Sequence, residues 1–245
     1  MLSSLFGRLG RGLLDFALPA RCASCGEIVE HAGSFCSACW TSIDWIGTSG
    51  CTRCAMPLEA TEQDQCLACE SDPPLIEATS AATRYGETSR ALALKLKYGR
   101  RVALAKAMAA PMARSLEGAD RDALLVPVPL HRGRLWQRGF NQAALLAREL
   151  SRRSGLENDP FVLERTRATR PMTDMTPAQR HKNVRGAFAV VDRSRIEGRT
   201  VILVDDVRTS GSTLEACARA LLKGGARRVE ANLWARVVRP RRLAR

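Results

Sequence analysis

The chain has 245 residues, enough for one large domain or two smaller ones, and its 45% apolar content can fill a core. It has no run of about 18 apolar residues, so no transmembrane helix is expected. Residues 1–75 carry a net charge of −5 and residues 76–245 a net of +18. A basic second part suits phosphorylated small molecules or a nucleic-acid backbone, or else an ordinary solvated surface, and charge alone does not choose.

Residues 1–20 read as a leader with a short amphipathic helix. Gly7, Arg8, Gly10 and Arg11 interrupt any continuous apolar core of signal-peptide type. Surface association is the alternative. Residues 21–70 carry eight of the nine cysteines as four CxxC pairs: Cys22/Cys25, Cys36/Cys39, Cys51/Cys54 and Cys66/Cys69. The gaps between pairs are ten, eleven and eleven residues. Two CxxC knuckles complete one tetrahedral Cys₄ site, so eight thiols suit two Zn²⁺ ions with no ligand position left for water. Few large apolar residues lie in this segment, so metal would supply much of its folding free energy. Disulfides would need an oxidising compartment, which no export signal supports. An iron–sulfur cluster is the other alternative, and the regular paired spacing favours zinc. Sequential pairing is the simplest arrangement; nested or crossed pairing would use the same residues. His31 reads as a surface residue.

Ser71-Asp72-Pro73-Pro74 is a natural linker into a second domain over 76–238. A strand is expected over 76–85. Helical periodicity runs from Thr88 to Leu116, with breaks expected at Gly99 and Pro111. Leu124 to Leu130 is a short apolar strand limited by its prolines. HRGRLWQRGFNQ follows as a loop carrying Arg132, Arg134 and Arg138 with Gly139, and then the helix AALLARELSRR. Further strands are expected from Phe161 to Leu163, over Ala187–Val191, over Val201–Val204 and over Val229–Val237. Residues 165–185 are Arg-rich and polar and read as a mobile segment of the length of a lid, with Arg165, Arg170, Arg180 and Asn183 as its candidate contacts. His131 and His181 read as solvated. Residues 239–245 form a basic tail.

The stretch Val201–Thr213, VILVDDVRTSGST, carries most of the chemistry. Its apolar run has the β-branching of a buried parallel strand. Asp205 and Asp206 stand at the strand's carboxyl end, where open α/β sheets place ligands. Thr209, Ser210, Gly211, Ser212 and Thr213 form a short loop into a helix, whose free amides and hydroxyls suit a phosphate. The acids suit hydroxyls beside that phosphate, so a sugar phosphate has both features. Mg²⁺ would share the acids' charge. The arginine loop also follows a strand's carboxyl end and suits a diphosphate. Cys217, in the next helix, reads as a packed core thiol. With no GxxxxGK[ST], the acid-ended strand is not read as part of a P-loop NTPase.

The stretch resembles the phosphoribosyl-pyrophosphate (PRPP) motif of the type I phosphoribosyltransferases. That resemblance implies an α/β fold, a parallel sheet flanked by helices, with Asp205 and Asp206 on ribose hydroxyls and the loop on the 5′-phosphate. Joined to the CxxC series, LKYGRR, PVPLHRGRLWQRGFNQ and RTRATRP…RHKNVRGAF, the chain resembles the ComF competence proteins, which pair a double zinc ribbon with such a domain. The family implies a role in DNA uptake, in the cytoplasm beside the import machinery. Two functions stay open: an enzyme transferring ribose-5-phosphate from Mg²⁺–PRPP, and a sensor or adaptor that contacts single-stranded DNA or a DNA-translocating helicase. Aromatic residues make up 5% of the chain, which gives a base-stacking groove little support.

Overall fold

The computed structural model describes residues 19–47, 50–58, 63–99, 101–169 and 175–238. Residues 1–18 of the expected leader over 1–20, the tail 239–245 and Arg170 lie outside them. Each cysteine module ends in a short helix, α1 (Ser37–Thr41) or α2 (Leu67–Ser71). β1 (Ala78–Arg84) then leads to α3 (Glu87–Tyr98) and α4 (Leu104–Ala113). β2 (Leu124–Pro127) leads to α5 (Arg132–Arg138) and α6 (Gln142–Ser154). The short β3 (Glu157–Asn158) follows, then β4 (Leu163–Arg165), α7 (Pro177–Val184) and β5 (Phe188–Val190). β6 (Thr200–Arg208), α8 (Ser212–Lys223) and β7 (Arg228–Arg236) complete the order.

Five strands form one sheet in the order β1-β7-β6-β2-β3, with every neighbouring pair parallel. Side-chain alternation along β6 sends Val201 and Leu203 to one face and Ile202 and Val204 to the other. The first face packs on Leu214, Cys217 and Leu221 of α8. The second packs on α3, α4 and α6 through Leu96, Met108, Leu146 and Leu150. Each such fully buried side chain contributes roughly 1.5–3 kcal/mol. Both faces are covered, as a parallel sheet requires.

Three expectations change. The strands at 163–165 and 188–190 do not join the parallel sheet; β4 and β5 pair antiparallel as a separate two-stranded unit. Only one residue of β5 is buried, too little for a strand covered on both faces. The arginine stretch after β2 is a helix, α5, because His131 Nδ1 accepts from the Gly133 N–H at 3.3 Å and Gly139 ends it in the left-handed region at φ 80°. Pro111 lies inside α4 rather than ending it: its fixed φ is compatible with the helix, which runs on to Ala113 at the cost of one main-chain bond to the Ala107 carbonyl.

The metal module covers the exposed edge of β1. The Ile46 N–H donates to Ala82 O at 3.1 Å, the Arg84 N–H to Asp44 O at 2.7 Å and the Thr79 N–H to Thr52 O at 2.7 Å. An uncovered edge would be a template for pairing with other chains. Trp40, Trp45 and Trp234 pack in series, with ring centroids 4.3 and 6.1 Å apart, so the module also reaches the core of the sheet domain.

Candidate functional site

The eight CxxC cysteines form two clusters by sequential pairing: Cys22, Cys25, Cys36 and Cys39, and then Cys51, Cys54, Cys66 and Cys69. Within each cluster the sulfur atoms lie within 4.8 Å of one another. The local pattern repeats. The Cys36 N–H donates to Cys22 Sγ and the Cys66 N–H to Cys51 Sγ, both at 3.3 Å. The first knuckle of each cluster turns through a left-handed residue, Gly26 at φ 87° and Ala55 at φ 56°. Four converging thiols of this kind fit Zn²⁺, as a closed structural site. His31 is exposed beside Glu30 and joins neither cluster. Cys217 is fully buried, and burial pushes its thiol well above the ordinary range.

β6 runs beyond its apolar core, through both acids to Arg208, because Val207 and Arg208 stay in register with Ala235 and Arg236 of β7. The loop is therefore Thr209–Gly211, and Ser212 and Thr213 open α8. Gly211 is the N-cap at φ 83°, and no side chain caps the helix. Apart from the Ser212 N–H, which reaches Ser210 Oγ at 3.5 Å, the first turn thus has no side-chain cap, an arrangement suited to an anion. A Cβ at Gly211 would sit 3.0 Å from Arg208 Nε. Ser210 and Ser212 hydroxyls lie 2.9 Å apart.

Asp206 is 2% exposed. Its carboxylate pairs with Lys97 of α3, Nζ to Oδ2 at 2.7 Å. Asp205 Oδ1 accepts from the Asp206 N–H at 2.9 Å. Burial, reinforced by the neighbouring Asp206 charge, pushes Asp205 well above the carboxylate range, to about 8. Burial opposes the Lys97 charge, but Asp206 and Asp205 outweigh it and hold the ammonium above its ordinary value, while Arg138 acts against them. Lys97 was absent from the expected site. Its signal in the sequence was a lysine one turn after buried Ala93, on the stripe that also carries Leu92 and Leu96.

The arginines divide. Arg134 and Arg138 share one face of α5, half-buried. Arg138 donates to Gln142 Oε1 and to the Tyr98 hydroxyl, each at 3.2 Å, and stacks on the Tyr98 ring. Arg134 Nη2 donates to Thr169 O at 3.4 Å. Arg132 lies on the outer face, lining a shallow hollow with Gly133, Leu135, Trp136 and Gly139. Arg165 ends β4, buried; burial lowers it first, Arg134 adds to this and Asp205 opposes. Arg180, on α7 and also buried, donates through Nη1 to Thr209 Oγ1 at 3.3 Å. Arg165, Arg180 and Asn183 thus sit on a strand and a helix rather than on a bare loop. Asn183 takes a bond from Arg167 on its main-chain oxygen at 3.2 Å. His131, expected to be solvated, is the cap of α5.

Comparison with known proteins agrees with this two-part architecture. A double zinc ribbon domain model matches residues 13–71 and a phosphoribosyl transferase domain model residues 137–238. The DNA utilization protein YhgH of Escherichia coli K12 is 32% identical over 186 residues, 74% of this chain and 81% of that protein. Its Salmonella typhimurium counterpart is 32% identical over 208 residues, 82% and 89% of the two chains. Competence protein F of Haemophilus influenzae is 28% identical over 218 residues, 86% and 94%. Among solved structures, glutamine PRPP amidotransferase from B. subtilis aligns at 18% identity with a TM-score of 0.39, covering 58% of this chain and 30% of that one. No role is transferred from a likeness of that size. No helix among the described residues is long and apolar enough to cross a membrane. With a double zinc ribbon ahead of a phosphoribosyltransferase domain, the chain belongs to the family of the DNA utilization protein YhgH and the competence F proteins.

Proposed function

We propose that the chain binds Mg²⁺–PRPP, or a related ribose-5-phosphate ligand, at the carboxyl end of β6. The observation that carries this reading is the acid pair standing beside a helix start whose N-cap residue gives no side-chain cap, with Gly211 in the left-handed region where a Cβ would crowd Arg208. Asp205 and Asp206 accept hydrogen bonds from the ribose hydroxyls. Thr209, Ser210, Gly211, Ser212 and Thr213 hold the 5′-phosphate with hydroxyls and main-chain amides. Arg134 and Arg138, with Lys97 beside Asp206, face the diphosphate. Arg132 serves that role less directly, since it lies on the outer face of α5.

In the enzymatic form of this reading, the bond from the ribose anomeric carbon to diphosphate breaks and a bond to the acceptor base forms. Diphosphate leaves with the bonding electron pair. Mg²⁺, when bound beside the Asp205 and Asp206 carboxylates, would neutralise charge on the leaving group. The residues contribute positioning and charge stabilisation, and a dissociative step of this kind requires no strong base at the ribose. Arg165 and Arg180 close the side of the site above Thr209.

A second reading is favoured by Trp136, which is 92% exposed beside Arg132. An exposed indole beside a guanidinium group suits stacking of an unpaired base. It supports a non-catalytic adaptor that senses the ligand and contacts single-stranded DNA or a DNA-translocating partner, in keeping with relatives named for DNA utilization and competence. The test is calorimetric titration with Mg²⁺–PRPP, followed by product analysis across bases and nucleotides. Binding with turnover supports the transferase, binding without turnover supports the sensor, and no binding defeats both.

A further inference from the structure

We infer that Arg236 is a positioning residue through which the Cys51/Cys54 knuckle of the second cysteine cluster sets the shape of the phosphate loop. The inference rests on the phosphate-site reading above, which it deepens. Arg236 is the last residue of β7 and is 8% exposed. Its guanidinium spans two elements. Nε donates to the carbonyl of Cys54, one of the four thiol residues of the second cluster, at 3.0 Å. Nη1 donates to the carbonyls of Thr209 at 2.7 Å, Arg208 at 3.3 Å and Val237 at 2.7 Å. One planar cation thus holds the knuckle and the start of the phosphate loop at a fixed separation.

A second connection runs beside it. The Thr79 N–H and Oγ1 donate to the carbonyls of Thr52 at 2.7 Å and Arg53 at 2.8 Å, and Thr79 Oγ1 accepts from Arg208 Nη1 at 2.9 Å. Arg208 in turn packs under Gly211. Three consecutive carbonyls of one knuckle, Thr52, Arg53 and Cys54, are therefore tied toward Arg208 and Thr209. Those carbonyls point outward because the knuckle turns tightly, through a left-handed Ala55, around its sulfur atoms. Main-chain bonds from Ala55 to Cys51 and from Cys51 to Met56, each at 2.7 Å, hold that turn, and a metal on the four sulfurs would fix it further. The first knuckle makes a different contact, with Ser24 O accepting from Lys95 of α3 at 2.7 Å.

The test uses the full chain in five forms: wild type, Arg236→Met, Cys66→Ala, Cys39→Ala, and Arg236→Met combined with Cys66→Ala. Zinc content, amide hydrogen exchange over 208–213 and affinity for Mg²⁺–PRPP are measured on each. Arg236→Met should keep both zinc ions, speed loop exchange by about tenfold and weaken Mg²⁺–PRPP by about tenfold, the scale of one charged hydrogen bond. Cys66→Ala should do the same while losing one zinc. The combined variant should be no worse than the worse single variant, because both cut one connection. Cys39→Ala should leave loop exchange within about twofold. Unchanged loop exchange in Arg236→Met, additive effects in the combined variant, or equal effects of Cys39→Ala and Cys66→Ala would each overturn the inference. Arg236→Lys, which keeps the charge but reaches fewer carbonyls, should fall between wild type and Arg236→Met and serves if the latter does not fold. If wild type binds no Mg²⁺–PRPP, the phosphate-site reading fails, and loop exchange still decides the coupling.

Discussion

Replacing Gly211 by alanine tests the phosphate loop by one methyl group. Gly211 holds φ at 83°, where an L-residue pays about 1–2 kcal/mol for crowding of its Cβ against its own backbone. The new Cβ would also stand 3.0 Å from Arg208 Nε and 3.1 Å from Nη2. That guanidinium cannot simply swing aside, because its Nη1 is bonded to Thr79 Oγ1 at 2.9 Å and the side chain is 6% exposed. The sum predicts a loss of about 2 kcal/mol, larger if the Thr79 bond is lost as well. Urea denaturation should show this as a lower midpoint with an unchanged slope. Mg²⁺–PRPP affinity should fall by at least about tenfold, since the strain is relieved by moving the amides proposed to hold the phosphate. Gly211→Ala with wild-type stability and affinity would refute both the loop's strain and its role.

Other consequences follow from the same geometry. Asp205 is raised to about 8 in the folded chain against an ordinary 3.8, so its neutral form favours folding. That contribution is complete below about pH 4 and is lost as pH rises through 8, so ligand-free stability should decline across that window. If ribose hydroxyls bind the ionised carboxylate, ligand binding at pH 7 should release nearly one proton, measured by calorimetry in buffers of different ionisation enthalpy; no release would count against that contact. Lys97→Met removes the cation that pairs with nearly buried Asp206 at 2.7 Å. It should cost about 3–5 kcal/mol, with much of this recovered in Lys97→Met combined with Asp206→Asn, and a cost below about 0.5 kcal/mol would show the pair to be incidental. Metal analysis should find two Zn per chain, and chelation should unfold the ribbons, seen as loss of the near-ultraviolet signal of the Trp40–Trp45 stack.

The parts legible in the sequence are those fixed by local chemistry. The CxxC spacing required paired knuckles, and only the coordinates choose sequential pairing from the arrangements it allowed. Val201–Val204 announced a buried parallel strand, but its length was understated, because pairing of Val207 and Arg208 with β7 is a long-range fact. Arg132–Arg138 looked like a loop through its glycines and arginines, and Gly139 turned out to be the helix terminator. β4 and β5 read as strands, yet their antiparallel partnership depends on where the intervening segment folds. Lys97 and Arg236 were hidden for the same reason. Lys97 meets Asp206 only after α3 packs on the sheet, and Arg236 meets Cys54 only after the second ribbon covers the end of β1 and β7.

The central claim, that β6 ends in a ribose-phosphate site, is tested most directly by titrating zinc-loaded wild type with Mg²⁺–PRPP beside Asp205→Asn/Asp206→Asn. The account predicts a saturable one-to-one isotherm for wild type and a loss of at least about a hundredfold in the double variant, the scale of removing two charged hydrogen-bond acceptors. Absence of binding by folded, zinc-loaded wild type, or equal affinity in the double variant, would contradict it.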